Sequence, residues 1–323
     1  MTTKPRLLVT RRLPEAVERR LSAGYDVSLN LQDAPLDRAA LADALRNYDA
    51  LCTAITDRLD GELLALPDRR TRILANFGAG LDHIDVAAAR GAGLVVTNTP
   101  GALTEATAEL AILLMLMAMR RAGEGERELR AGLWTGWRPI HLLGQGLTGK
   151  ALGLVGFGRI AQATAARARA FGMTIRYHSR SRAPEAVEKQ FDAVCAPSLE
   201  ALVRDADIVS LHVPGGVETH HLVDARLLAA MRPHAILVNT ARGSVVDENA
   251  LADALAEGRV GGAGLDVYEQ EPSVHPRLLA SERAVLLPHL GSATIEARTA
   301  MGMQVADNLE AFFAGKAPPD RVV

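Results

Sequence analysis

The chain has 323 residues, is 48% apolar but only 4% aromatic, and carries a formal charge of −2. That length and apolar content suffice for a large aliphatic core and suggest two domains. The near-neutral charge excludes a general attraction to nucleic acid or to an anionic membrane.

The N-terminal stretch MTTKPRLLVTRRLPEAVERRL has no apolar segment followed by a small-residue cleavage site. The longest apolar run, residues 110–119, is about half of what a bilayer span needs. A soluble, cytoplasmic protein is expected. Cys52 and Cys195 are far apart and show no metal-ligand spacing, so they read as inert packing residues in a reducing compartment, with no metal expected.

In chain order, β-rich runs lie at 6–10, 50–53, 73–76, 94–97, 151–155, 174–178, 208–212, 236–239 and 262–266. They alternate with helical patterns, which predicts an α/β fold on parallel sheets. The helix after Thr104, EATAELAILLMLMAMRR, is apolar on nearly every face and is expected to be buried between domains or subunits, with Met115, Met117 and Met119 as core filler.

The run at 153–161, GLVGFGRIA, follows an apolar strand and opens an Ala-rich helix over 162–171, so Gly156, Gly158 and Ala161 fit G-x-G-x-x-G/A. Gly156 permits the tight turn. Gly158 lets the backbone approach a pyrophosphate at the positive end of the helix. The next strand ends in TIRYHSRSR, placing Ser179, Arg180, Ser181 and Arg182 where an NAD enzyme carries a carboxylate for the ribose 2′-hydroxyl. A carboxylate would repel a 2′-phosphate, whereas an arginine fork and serine hydroxyls bind one. NADP(H) is therefore favoured, NAD(H) remains possible, and Arg182 is expected to be a surface residue.

Three further frames follow: NTARGSVVD (239–247), GLDVYEQEP (264–272) and LLPHLGSAT (286–294). Arg242 offers a guanidinium to hold a carboxylate, His289 an imidazole to move a proton, and Glu271 a carboxylate to hold and tune that imidazole. Glu269 is a nearby decoy, and His212, His220, His221 and His275 read as surface or loop residues.

These frames, together with NFGAGLDHID (76–85), NTPGALTEATAE (98–109), LTGKALGLVGFGRIAQATA (147–165) and DADIVSLHVP (205–214), resemble the D-isomer-specific 2-hydroxyacid dehydrogenases, and among them the glyoxylate/hydroxypyruvate reductase branch. The resemblance covers nearly the whole chain. It implies two doubly wound parallel-sheet domains, Rossmann-like and flavodoxin-like, with the active site in the cleft between them. Residues 1–99 plus 293–323 would bind substrate, and 100–292 would bind the cofactor. It further implies Arg242, Glu271 and His289 as the catalytic residues. Cofactor contacts would come from Gly156, Gly158, Arg159, Ile160, Ser179, Arg180, Ser181, Val213, Thr240, Ala241 and Gly291, with Asp266 facing the nicotinamide carboxamide. Ala79, Gly80 and Ser292 would join Arg242 on the substrate. A homodimer is implied, with contacts near Trp134 and Trp137.

His141 stands where many members of this branch carry Trp in a position associated with the substrate pocket, which leaves the preferred 2-oxo acid open between glyoxylate and hydroxypyruvate. Related readings are a phosphoglycerate-type dehydrogenase, a formate dehydrogenase (which pairs its histidine with Gln, where this chain has Glu271), and a nucleotide-sensing protein of the same fold.

Overall fold

In the computed structural model, which describes residues 4–323, the strands form two wholly parallel sheets. The first contains β1 (Arg6–Val9), β2 (Asp26–Leu29), β3 (Ala50–Thr53), β4 (Ile73–Asn76) and β5 (Val95–Thr97), ordered β2-β1-β3-β4-β5. The second contains β6 (Ala151–Val155), β7 (Thr174–His178), β8 (Ala193–Cys195), β9 (Ile208–Leu211), β10 (Ile236–Asn239), β11 (Gly262–Leu265) and β12 (Ala284–Leu286), ordered β12-β11-β10-β9-β6-β7-β8. The first order is the flavodoxin-like one. The second is the Rossmann order extended by one strand. Helices cover both faces of each sheet, which is why the inner strands read as unbroken apolar runs rather than alternating ones.

The chain divides into two units, one running up to Leu103 and resuming at Ala293–Val323, the other Thr104–Ser292. The discontinuity follows from the last helix, Ile295–Phe313, which is capped by the Thr294 hydroxyl and whose Val305, Ala306 and Leu309 join the core around β1, β3 and β4. Gly302 makes that docking possible, since a Cβ there would sit 2.4 Å from a Val17 methyl. Gln304 Nε2 in this helix also donates to the Pro100 carbonyl at 3.2 Å, within the first unit.

The sequence expectations need correction at three strands. The strands β2, β8 and β12 are not among the expected runs, and all three are sheet edges. They are poorly buried, unlike the remaining edge β5 with its buried Val96 and Thr97, and so carry too little apolar pattern to stand out. The helix Thr104–Met119 packs, within the second unit, against the helix Arg159–Ala170 and β10–β12. The small residues of β11 let it come close, for a Cβ on Gly264 would lie 3.0 Å from Leu114 Cβ. Among the described residues, no helix is long and apolar enough to cross a membrane. Cys52 is buried in the first unit with its thiol pushed up to about 12 by burial, and Cys195 is free and partly covered.

Candidate active site

The topological switch point of the second sheet lies between β6 and β9, where the chain leaves in opposite directions and opens a crevice at the strand ends. Gly156 follows β6 there with φ of +87°, and a Cβ on it would stand 2.6 Å from the His212 carbonyl oxygen and 3.2 Å from Val213 Cγ1. Only glycine meets both demands. Gly158 caps the helix Arg159–Ala170, and nothing lies within 4 Å of where its Cβ would be, so the positive helix end is open to an anion. Ala161 is fully buried in the core beneath the loop, while Arg159 is exposed and Ile160 half-buried.

At the tip of β7, the Ser179 hydroxyl donates to the Ser181 carbonyl at 2.6 Å and Arg180 meets Glu218 at 2.6 Å, both side chains of the ion pair being largely solvated. Arg182 is exposed at the surface, with its guanidinium paired. It donates from Nε and Nη2 to the two oxygens of buried Glu188, at 3.0 and 2.8 Å. Glu188 also accepts from the Tyr177 hydroxyl at 2.6 Å, and these partners, Arg182 first, hold its carboxyl down at about 2. Arg182 thus anchors the base of the turn and leaves Arg180 as the cation at its tip.

The frames of Arg242, Glu271 and His289 sit on the loops after β10, β11 and β12. Asn239, buried at the end of β10, accepts from the Ala241 amide at 2.9 Å and donates to the Arg242 carbonyl at 2.8 Å, which closes the turn that presents Arg242. Gly243 is obligatory, because a Cβ would fall 1.8 Å from the Tyr268 carbonyl carbon. The Arg242 turn is thereby pressed on the chain that leads to Glu271. Glu271 accepts from the Tyr268 amide through Oε1 at 3.0 Å, and its Oε2 stands 2.8 Å from His289 Nδ1. Burial pushes the Glu271 carboxyl up, but the His289 hydrogen bond and charge, the Tyr268 amide and the Arg242 charge together hold it below its ordinary value.

His289 has φ of +54°, a left-handed conformation that a non-glycine residue keeps only when its surroundings enforce it. Asp266 is the enforcer. Its carbonyl accepts from the His289 amide at 2.9 Å, and its two carboxylate oxygens accept from the Leu290 and Gly291 amides at 2.6 and 2.8 Å. The Thr107 hydroxyl donates to the Gly291 carbonyl at 2.9 Å, adding a fourth tie from the first turn of its helix. Burial raises the Asp266 carboxyl to about 6 against the pull of these amides and of His289. The sequence had marked Asp266 for its place at a strand end and missed this clamp; Asn239, Gly243 and Thr107 were missed altogether, although each lies within a quoted frame.

Other expected residues are placed as follows. Thr240 and Ala241 are buried beside Arg242, and Ser292 is half-buried after Gly291. His141 Nε2 faces Glu128 at 2.8 Å, so this ring is engaged by a carboxylate within its own segment. In the first unit, Asn76 Nδ2 donates to the Gly78 and Gly80 carbonyls at 3.0 Å each, and Asn98 Nδ2 to the Ala79 carbonyl at 2.8 Å. Because C=O and N–H point oppositely across a trans peptide, the Ala79 and Gly80 amides are turned away from those asparagines.

A nicotinamide dinucleotide fits these residues. Besides the open helix end at Gly158, the buried Thr240 hydroxyl has no hydrogen-bond partner among the described residues, a vacancy that costs about 1–3 kcal/mol unless a ligand fills it.

A sequence-family model described as D-isomer specific 2-hydroxyacid dehydrogenase, NAD binding domain, matches residues 112–291. The glyoxylate reductase of Thermococcus litoralis is 46% identical over 323 residues, covering 99% of this chain and 97% of its own. That of Aeropyrum pernix is 48% identical over 326 residues, covering 99% and 96%. Among solved structures, the NADPH-dependent glyoxylate/hydroxypyruvate reductase of Sinorhizobium meliloti, complexed with NADP and malonate, is similar with a TM-score of 0.87 and 36% identity over 99% of this chain and 97% of that one. With the glycine loop at the switch point and the three frames at the neighbouring strand ends, the chain belongs to the D-isomer specific 2-hydroxyacid dehydrogenases and is an NAD(P)-dependent oxidoreductase.

Proposed function

We propose that the protein reduces a small 2-oxo acid of the glyoxylate and hydroxypyruvate class to the D-2-hydroxy acid, with NADPH as the preferred donor. The observation that carries this reading is the His289–Glu271 pair at 2.8 Å, next to the turn that presents Arg242. The reduced nicotinamide, when bound, supplies hydride to the carbonyl carbon. Negative charge then gathers on the carbonyl oxygen and must be met by a proton. His289 delivers it from Nε2, since Nδ1 faces Glu271. Glu271 fixes the ring and favours the imidazolium, and its lowered pKa keeps it ionised at neutral pH. Arg242 grips the substrate carboxylate and polarises the carbonyl. In the reverse direction His289 accepts the hydroxyl proton.

Ala79 and Gly80 are assigned to a substrate carboxylate on the direction of their amides, and Ser292 on its place after Gly291. Gly156, Gly158, Arg159, Ile160, Val213, Thr240, Ala241, Asp266 and Gly291 are assigned to the dinucleotide. The preference for NADPH rests on Ser179, Arg180 and Ser181. Among the described residues Arg180 is paired with a solvated Glu218, an exchange partner worth little, so it is available to a 2′-phosphate. The NADP found in the Sinorhizobium meliloti relative supports the same choice. A homodimer is proposed on the run Leu129, Leu133, Trp134, Trp137, Ile140 and Leu143, which is exposed in the single chain, Trp137 by 82% and Ile140 by 81%.

Initial rates with glyoxylate and hydroxypyruvate, each with NADPH and with NADH, test the reading. Rapid oxidation of NADPH with at least one of the two acids is expected, slower with NADH. No turnover with any pair, despite tight NADPH binding, would overturn it.

A further inference from the structure

We propose that His220, His221 and Glu269 form a binding site for one divalent transition-metal ion, of the zinc or nickel type, on the second unit. The sequence marked these as loop residues and a decoy; the fold gathers one ligand atom from each within 4.8 Å of the others. His221 Nε2 stands 2.5 Å from Glu269 Oε1, and the two imidazoles are stacked with centroids 4.0 Å apart. An ion with bonds of about 2.0–2.2 Å holds its ligand atoms about 3–3.5 Å apart, so small side-chain rotations complete the set. Two ligands are already fixed by their backbone. The His221 amide donates to the Ser244 carbonyl at 2.8 Å, and the Glu269 amide to Glu248 Oε1 at 2.8 Å.

His221 is moreover held at φ of +48°, a costly conformation for a non-glycine residue and one that gathers at ligand clamps. His220 is exposed and gives the ion a path in. Two imidazoles and one carboxylate suit zinc, nickel or cobalt, whereas calcium and magnesium prefer oxygen ligands throughout. Three protein ligands leave the remaining positions to water. Since Gly243 is pressed on the Tyr268–Glu269 peptide, an ion on Glu269 braces the chain between the Arg242 turn and Glu271 without entering the reaction. The inference stands whether or not the reductase reading does.

The test is calorimetric titration of ZnCl2 and NiCl2 into tag-free, full-length protein, and a cobalt(II) absorption spectrum. One ion per chain at micromolar affinity is expected, with a higher melting temperature. His220→Ala should weaken binding by about tenfold or more and leave oxidoreductase turnover unchanged. His221→Gln, which keeps an N–H for Glu269, should also lose the ion while its circular dichroism remains that of the wild type. No binding by the wild type below millimolar metal would overturn the proposal. So would unchanged affinity in His220→Ala, which would put the ion elsewhere, for example on Glu271 and His289.

Discussion

At one end of the second unit, the His289 loop is tied by three bonds to buried Asp266 and a fourth from buried Thr107. At the other, the turn Ser179–Arg180–Ser181 carries one local serine bond and one solvated ion pair, and only its base is pinned, through Arg182 and Tyr177 on Glu188. The difference tracks what the proposed function asks of each end. Proton transfer needs an imidazole held to within a fraction of an ångström, whereas an arginine meeting a phosphate gains most of its energy from charge and tolerates a loose fit. Rigid construction at the first end makes it hard to change without loss; the second can be altered with little harm to the fold.

The largest expected effect lies at the rigid end. His289→Gln should lower kcat by about 10²–10⁴-fold, the usual worth of a positioned general acid, while NADPH still binds. A stopped-flow and equilibrium-binding pair decides it, and retained turnover would take His289 out of the mechanism. Asp266→Ala tests the clamp itself. It leaves two amides without partners, at about 1–3 kcal/mol each, so the melting temperature should fall by roughly 5–15 °C. Glu218→Ala at the solvated end should cost under about 0.5 kcal/mol. Similar losses in the two variants would abolish the contrast.

Glu271→Gln comes next, with a kcat reduced about tenfold and a changed pH profile. Glu271 is held below its ordinary 4.5, so it is charged throughout the neutral range and its charge favours the imidazolium. Without that charge the upper pH limit of reduction should move down. A depressed carboxyl also contributes stability that is present above pH about 4.5 and lost as pH falls through its folded value, so the variant should lose less stability on acidification. An unshifted upper limit would leave Glu271 without its assigned part.

What the sequence made legible divides along the same line. Arg242, Glu271 and His289 stood out because each needs an uncommon residue type in a fixed frame, and the glycine loop because Gly156 alone meets its positive φ and its close approach to His212. Inner strands and the well-covered edge β5 were legible as apolar runs, and the edge strands β2, β8 and β12 were not, since their poor burial leaves little pattern. The clamp by Asp266 was illegible for another reason: its partners at 290 and 291 are backbone amides, to which any sequence could contribute. The pairing of exposed Arg182 was illegible because Glu188, six residues on in the next helix, gives no local sign that it will be buried and take the guanidinium.

The mildest change is expected at the solvated turn. Ser179→Asp combined with Arg180→Ala replaces an attractive site for a 2′-phosphate by a repulsive one, while the 2′-hydroxyl of NADH gains an acceptor. The KM for NADPH should rise by about tenfold to a hundredfold, and that for NADH should stay level or fall. Because Arg180 is exposed, its contribution should also fade with ionic strength, so the proposed preference for NADPH should narrow as salt is raised. Equal losses with both coenzymes would sink the assignment of the 2′-phosphate to this turn. A preference that ignores salt would assign the selectivity to the serine hydroxyls and backbone rather than to Arg180, and would make this end of the unit less different from the other than its solvated ion pair suggests.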